Sequence, residues 1–173
     1  MPGRNRAVFF DRDGTLNVEK GYLCDTEKFE FIEGATDAVK FLNDRNIKVI
    51  VITNQSGGAR GFFTESDVKN FHDFMRKEFE KFDAHIDGFY YCPHHPKAEV
   101  EKYRVDCDCR KPKPGLILKA CRDFDIDPEK AIMIGDMPRD PESGENAGLK
   151  KGILFDGGNL FELVKNEIES GII

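Results

Sequence analysis

The chain has 173 residues, 39% of them hydrophobic and 34% charged, with a formal net charge of −6. That balance fits one soluble domain over residues 1–173 with a proper core, and excludes a disordered chain. The acidic surplus argues against a general nucleic-acid binder, and no apolar run approaches the length of a membrane span.

Residues 1–6 are polar and basic, and Asp11 cuts short the apolar run behind them, so no signal-peptide core is expected. Ala7-Val8-Phe9-Phe10 predicts a strand buried on both faces. It runs into Asp11-Arg12-Asp13-Gly14-Thr15. Residues 18–32 are polar and irregular with aromatic residues, and predict a flap beside this acidic turn. Ala35, Ala38, Val39 and Leu42 recur at helical spacing, and Asp44-Arg45-Asn46 ends that helix. Residues 47–52 predict a second buried strand, followed by Thr53-Asn54-Gln55-Ser56-Gly57-Gly58. Thr64-x-x-Asp67 has the form of an N-terminal cap. The helix behind it places Val68, Phe71, Met75, Phe79 and Phe82 on one core-facing stripe. Residues 88–91 predict a third strand, and 92–109 an irregular polar excursion. Pro114 opens a helix with Ile117, Ala120, Cys121 and Phe124 inward. Residues 131–134 predict another buried strand, ending in Gly135-Asp136. A short helix over 144–147, a strand over 152–155 and a helix over 160–168 complete the chain. Strands alternate with helices, so the expected fold is a three-layer, Rossmann-like α/β sandwich with a central parallel sheet.

Four polar sites fall at strand ends or loops on one edge of that sheet: Asp11/Asp13, Thr53, Arg110/Lys111 and Asp136. Ligands bind outside the carboxyl ends of parallel strands. Two neighbouring carboxylates repel unless a cation lies between them, and a hard divalent ion suits oxygen ligands. A nucleophile, a metal, a cation and fixed donors are the inventory of phosphoryl transfer. The blander readings are an ordinary acidic turn for Asp11-Asp13 and a strand-end cap for Thr53; Lys113 is an alternative to Lys111 as the phosphate cation. A second constellation joins Cys92-Pro-His94 to Cys107-Asp-Cys109, with twelve residues between the halves. Three thiols and an imidazole suit a closed tetrahedral Zn²⁺ site, with His95 as rival ligand. With little apolar content in 92–109, metal binding would supply the folding energy of the loop. Four protein ligands leave no open coordination position, so the zinc is expected to be structural and to position Arg110 and Lys111. The five cysteines (Cys24 and Cys121 are the other two) form no even disulfide framework and fit a reducing, cytoplasmic setting.

D-x-D-G-T after a strand, Thr after a second, Lys before a later helix and G-D-x-x-x-D after a further strand together resemble the four motifs of the haloacid dehalogenase superfamily. The resemblance covers nearly the whole chain. It implies Asp11 as the nucleophile that forms an aspartyl-phosphate, and Asp13 as general acid and then base. It implies Thr53 and Lys111 as holders of the phosphoryl oxygens. Mg²⁺ would sit on Asp11, the Asp13 backbone carbonyl and Asp136, with Asp140 supporting that shell. No sizeable cap domain fits in this length.

The Cys-x-His…Cys-x-Cys-Arg-Lys-Pro run narrows the resemblance to the subgroup of heptose-1,7-bisphosphate 7-phosphatases and histidinol-phosphate phosphatases, and favours Lys111 over Lys113. Residues 53–61, T-N-Q-S-G-G-A-R-G, resemble the loop of the heptose enzymes, and Tyr90-Tyr91-Cys92-Pro93-His94-His95-Pro96 their zinc-loop entry. On this resemblance Arg12, Glu19, Lys20, Gly21, Tyr22, Asn54, Gln55, Ser56, Arg60 and Arg110 contact substrate. A bisphosphate has a second anionic group, which Arg110 can bind bidentately. One departure is Met137, where the family often has Lys; Arg139 is a candidate to supply the missing charge. The expected activity is Mg²⁺-dependent hydrolysis of a small phosphorylated sugar, a heptose 1,7-bisphosphate, by a monomer that binds neither nucleic acid nor membrane. Histidinol phosphate is the rival substrate. A zinc-stabilised, non-catalytic binding module is the rival from another class.

Overall fold

The structure is a computed structural model that describes residues 4–173. The first three residues of the expected domain, and of its basic leading segment, lie outside the described residues. The elements are β1 (Asn5–Phe10), α1 (Ala35–Asn43), β2 (Lys48–Asn54), α2 (Glu65–Glu80), β3 (Gly88–Cys92), α3 (Gly115–Asp123), β4 (Ile126–Gly135), α4 (Arg139–Asn146), β5 (Lys151–Leu154) and α5 (Leu160–Glu169).

The continuous apolar runs have the burial they imply. In β1, Val8 and Phe10 pack on one face with Ala7 and Phe9 on the other. Val49 and Val51 of β2 and Ile132 and Ile134 of β4 join the first face; Ile50, Ile52, Ala131 and Met133 join the second. α1, α2 and α5 cover the first face, and α3 lies on the second. The five strands run parallel in the order β3-β2-β1-β4-β5. The chain leaves β1 toward β2 on one side and returns to β4 on the other. That order reverses beside β1, so the carboxyl end of β1 is the switch point where such sheets bind ligands.

Thr64 and Asp67 form the expected capping box of α2. Val68, Phe71, Met75 and Phe79 are buried, as their spacing requires. Phe82 is not: it lies past the helix end and is 53% exposed. α2 stops at Glu80 and Asp83 turns the chain at φ 57°, so the helical stripe ends one step early. α4 begins at Arg139 rather than near 144, because prolines at 138 and 141 sit where a first turn has no use for their missing N–H groups. β4 begins at Ile126, where polar residues 127–130 hide the strand from an apolar search; Ile126 pairs with Asn5 before a register shift. Among the described residues no helix is long and apolar enough to cross a membrane.

Candidate active site

Asp11 extends β1 by one hydrogen bond, from its N–H to Ile134 O at 3.0 Å. Its carboxylate therefore leaves the sheet at the switch point. The next turn needs Gly14: its φ is +86°, and a Cβ there would lie 2.2 Å from Asp136 Oδ2. This close approach brings the β1 turn against the β4 turn. Thr15 Oγ1 donates to Asp136 Oδ1 at 3.3 Å across the same junction. Gly135 is equally constrained, since a Cβ would meet Asp140 at 2.2 Å.

Lys111 ties the third corner. Its Nζ lies 2.7 Å from Asp11 Oδ1, 2.7 Å from Ile52 O and 2.7 Å from Asp140 Oδ1. The Asp140 contact is one of charge rather than an aligned hydrogen bond. Asp140 Oδ2 accepts the Met137 N–H at 2.9 Å. Asn54 positions the lysine backbone, accepting Lys111 N–H at 3.0 Å and donating to Lys111 O at 3.3 Å. Lys113 points elsewhere, to Asp106 and Cys107 O, so the alternative phosphate cation lies outside the site.

Asp11, Asp136 and Asp140 each bring a carboxylate oxygen within 4.8 Å of the others. One ammonium cannot balance three carboxylates. Burial pushes the Asp11 carboxyl up to about 8 against the pull of Lys111, and the Asp140 charge adds to the rise. A divalent cation would remove both penalties, so the donor set fits Mg²⁺, the ion the family implies.

Asp13 faces a different set of partners. Its carboxylate accepts from Arg12 Nε at 3.2 Å, Asn17 Nδ2 at 3.0 Å and Gln55 Nε2 at 3.0 Å, and lies 3.0 Å from Arg12 Nη2. Gln55 also donates to Thr53 Oγ1 at 2.9 Å. Arg12, expected to contact substrate, is fully buried instead. Its guanidinium donates to Leu23 O at 2.7 Å, meets His72 Nε2 at 3.1 Å and lies over the Phe71 ring. Lys20 is also turned away, toward Lys28 O and Glu30. His72 and Asn17 are partners that sequence reasoning missed; a lone arginine between two acids was the available hint.

These groups open onto a cleft of about 440 Å³. Asp11, Asp13, Thr53 and Asp136 form its floor. Glu19, Gly21 and Tyr22 of the flap line one wall, and Asn54, Gln55, Ser56 and Arg60 another. Arg110 lines the cleft too, together with His95, Met137 and Arg139. The site thus has an acidic floor and an arginine-bearing rim.

The thiol-imidazole cluster lies behind that rim. One ligand atom each from Cys92, His94, Cys107 and Cys109 falls within 4.8 Å of the others. His95 lies outside this set, and its Nδ1 accepts the Lys97 N–H. Cys109 is pushed down to about 5 chiefly by its hydrogen bond with Cys92, which leaves it as the thiolate a metal binds. Arg110 Nη1 donates to His94 O at 3.3 Å, tying the rim to the cluster. Glu65 anchors the loop from α2, accepting Tyr91 OH and Tyr103 OH at 2.8 Å each.

Comparison with known proteins agrees with this geometry. Residues 17–148 match the family model of the haloacid dehalogenase-like hydrolases. The D-glycero-beta-D-manno-heptose-1,7-bisphosphate 7-phosphatase of Haemophilus influenzae is 42% identical over 154 residues, 89% of this chain and 83% of its own. The Escherichia coli K12 protein of that name is 42% identical over 152 residues, 88% of this chain and 80% of its own. The crystal structure of D,D-heptose 1,7-bisphosphate phosphatase from B. bronchiseptica, complexed with magnesium and phosphate, superposes with a TM-score of 0.80 at 25% identity. It covers 95% of this chain and 99% of its own. With its catalytic-type floor and its relatives in view, the chain is a phosphomonoester hydrolase that belongs to the haloacid dehalogenase-like hydrolases, in the family of the heptose-1,7-bisphosphate 7-phosphatases.

Proposed function

We propose that the substrate is D-glycero-β-D-manno-heptose 1,7-bisphosphate and that the bond cleaved is the C7 phosphoester. The observation that carries this reading is one cleft with an acid-and-lysine floor and a separate cationic rim at Arg60 and Arg110. Such a cleft can hold a transferring phosphoryl group at one end and a second anion at the other. The printed names of the relatives at 42% identity supply the sugar and the anomer.

In this reading the Asp11 carboxylate attacks the C7 phosphorus, and the bond from phosphorus to the sugar oxygen breaks. Asp13 gives its proton to the departing alkoxide. It then takes a proton from the water that cleaves the aspartyl-phosphate, which restores Asp11 and releases inorganic phosphate. Thr53 and Lys111 hold the nonbridging oxygens. Asp11, Asp136 and the Asp13 carbonyl, with Asp140 behind them, would hold Mg²⁺, which when bound would supply neutralising charge to the phosphoryl oxygens.

Zn²⁺ is the proposed occupant of the thiol cluster. The Cys92–Cys107 and Cys109–His94 separations are both 3.5 Å. These, with Cys92–His94 at 3.7 Å, match the ligand–ligand edges of roughly 3.5–3.8 Å that a tetrahedral zinc site imposes, while the Cys92 and Cys109 sulfurs at 2.8 Å would have to part to admit the ion. Its role is to hold Arg110 and Lys111 in place. Free thiols at all five cysteines suit the proposed cytoplasmic location.

Phosphate release with Mg²⁺ from the heptose bisphosphate, fructose 1,6-bisphosphate and histidinol phosphate tests the reading. A kcat/KM for the heptose at least about tenfold above the other two is expected. Equal values would move the substrate elsewhere, and no turnover in folded, zinc-loaded protein would favour a binding module.

A further inference from the structure

Arg139 is placed where nothing in the chain repays its charge. Its Nε is buried without a hydrogen-bond partner. Among the described residues its guanidinium makes no ion pair or hydrogen bond. It is the first residue of α4, so its cation sits at the positive end of that helix dipole. The adjacent acid, Asp140, is committed to Lys111 and the Met137 N–H.

Arg110 has the same deficit. Its only bond among the described residues is to His94 O, and no carboxylate pairs with it. Burial, followed by the nearby Arg139 charge, weakens its hold on a proton. Two guanidinium groups that repel each other, both lining one cleft and one with an orphaned buried nitrogen, describe a site shaped for an absent anion. Met137 lines the same wall and is 43% exposed, so it leaves space beside Arg139 and no competing charge. The four cleft acids have other contacts: Glu19 accepts the Gly21 N–H, Asp13 faces Arg12, Asp11 pairs with Lys111 and Asp136 accepts from Thr15 Oγ1.

We propose that Arg139 is a specificity-determining residue, which with Arg110 clamps the second, non-transferred phosphate of the bisphosphate. This rests on the functional reading above. Planar guanidinium forks match a phosphate bidentately, and a dianion between them turns a repulsive pair into two charge-assisted contacts. The clamp acts on substrate choice rather than on bond cleavage, because the phosphate it holds is not the one transferred.

The test compares kcat/KM for heptose 1,7-bisphosphate and heptose 7-phosphate, with Mg²⁺, in the wild-type protein, R139A, R139K and R139A/M137K. The wild type is expected to prefer the bisphosphate. R139A should lower the bisphosphate-to-monophosphate ratio by about 10- to 100-fold, mostly through KM, as loss of a charged hydrogen bond implies. R139K and R139A/M137K should each recover part of the ratio, which a merely structural role would not produce. A wild-type preference that survives R139A unchanged overturns the clamp alone. A wild type with no preference overturns the functional reading and the clamp with it.

Discussion

Arg12 is the residue whose surroundings explain most about the site. A guanidinium that is fully buried must be matched on every side. It is: by Asp13, by Leu23 O, by the Phe71 ring and by His72 Nε2. One cation therefore fixes Asp13, the flap and α2 together. To accept from Arg12, His72 must be neutral with its proton on Nδ1. Burial, reinforced by the Arg12 and Arg76 charges, holds its pKa well below the usual 6.5. The sign of the consequence is fixed. Above 6.5 neither folded nor unfolded chain protonates this ring. Below it the unfolded chain takes up a proton that the folded chain refuses, so stability falls as pH falls, by at most about 1.4 kcal/mol per pH unit. Gln places an acceptor at a reach similar to Nε2 and does not titrate. Urea denaturation of wild type and H72Q at about pH 7 and pH 5 should show a smaller acid loss in H72Q. Equal losses would show that His72 carries no such linkage.

The 92–109 loop is held at both ends by polar contacts rather than by a core. Only Cys92, Ala98 and Tyr103 are buried within it, and of these Ala98 and Tyr103 pack with Ala59. Its other anchors are the Glu65 bonds and the Cys92, His94, Cys107 and Cys109 cluster. C107S, or zinc removal by a chelator, should therefore loosen the loop while the sheet stays folded. The expected result is rapid proteolytic cleavage within 93–109 and a KM for the bisphosphate raised by about tenfold or more, through Arg110. Protease resistance and an unchanged KM after complete zinc loss would contradict this positioning role. Elements of this kind were legible because their chemistry is written in spacing: Cys-x-His and Cys-x-Cys converge, and Thr64-x-x-Asp67 caps α2. The early start of α4 and the polar half of β4 were not legible. There, helix and strand are imposed by the tertiary frame on residues, Pro141 and residues 127–130, whose own preferences say little.

At the scale of the whole molecule, the net charge of −6 conceals a local reversal. Arg60, Arg110 and Arg139 concentrate positive charge at the cleft of an acidic protein, which favours the approach of small anions. Several of the large exposed apolar side chains, Tyr22, Phe62 and Met137, also gather there, with Tyr22 and Phe62 rings 5.0 Å apart. The remainder are scattered, so a monomer is expected; light scattering after gel filtration should give the mass of one chain, and a dimer mass would reassign those apolar residues to an interface. The three strand-end acids Asp11, Asp13 and Asp136, with Thr53 and Lys111, were legible because each follows an apolar run or sits beside a recognisable motif. The inward turn of Arg12 and the outward turn of Lys20 were not, because side-chain direction there depends on partners that spacing does not reveal: His72 of α2 for Arg12, and Glu30 at the far end of the flap for Lys20.

The most direct test of the proposed chemistry is ³¹P NMR of the products formed from D-glycero-β-D-manno-heptose 1,7-bisphosphate in the presence of Mg²⁺. The expected spectrum shows one equivalent of inorganic phosphate, loss of the C7 phosphate signal and an intact anomeric phosphate. Loss of the anomeric phosphate instead, or a substrate spectrum that does not change, would contradict the assignment of the C7 phosphate to the Asp11 end of the cleft.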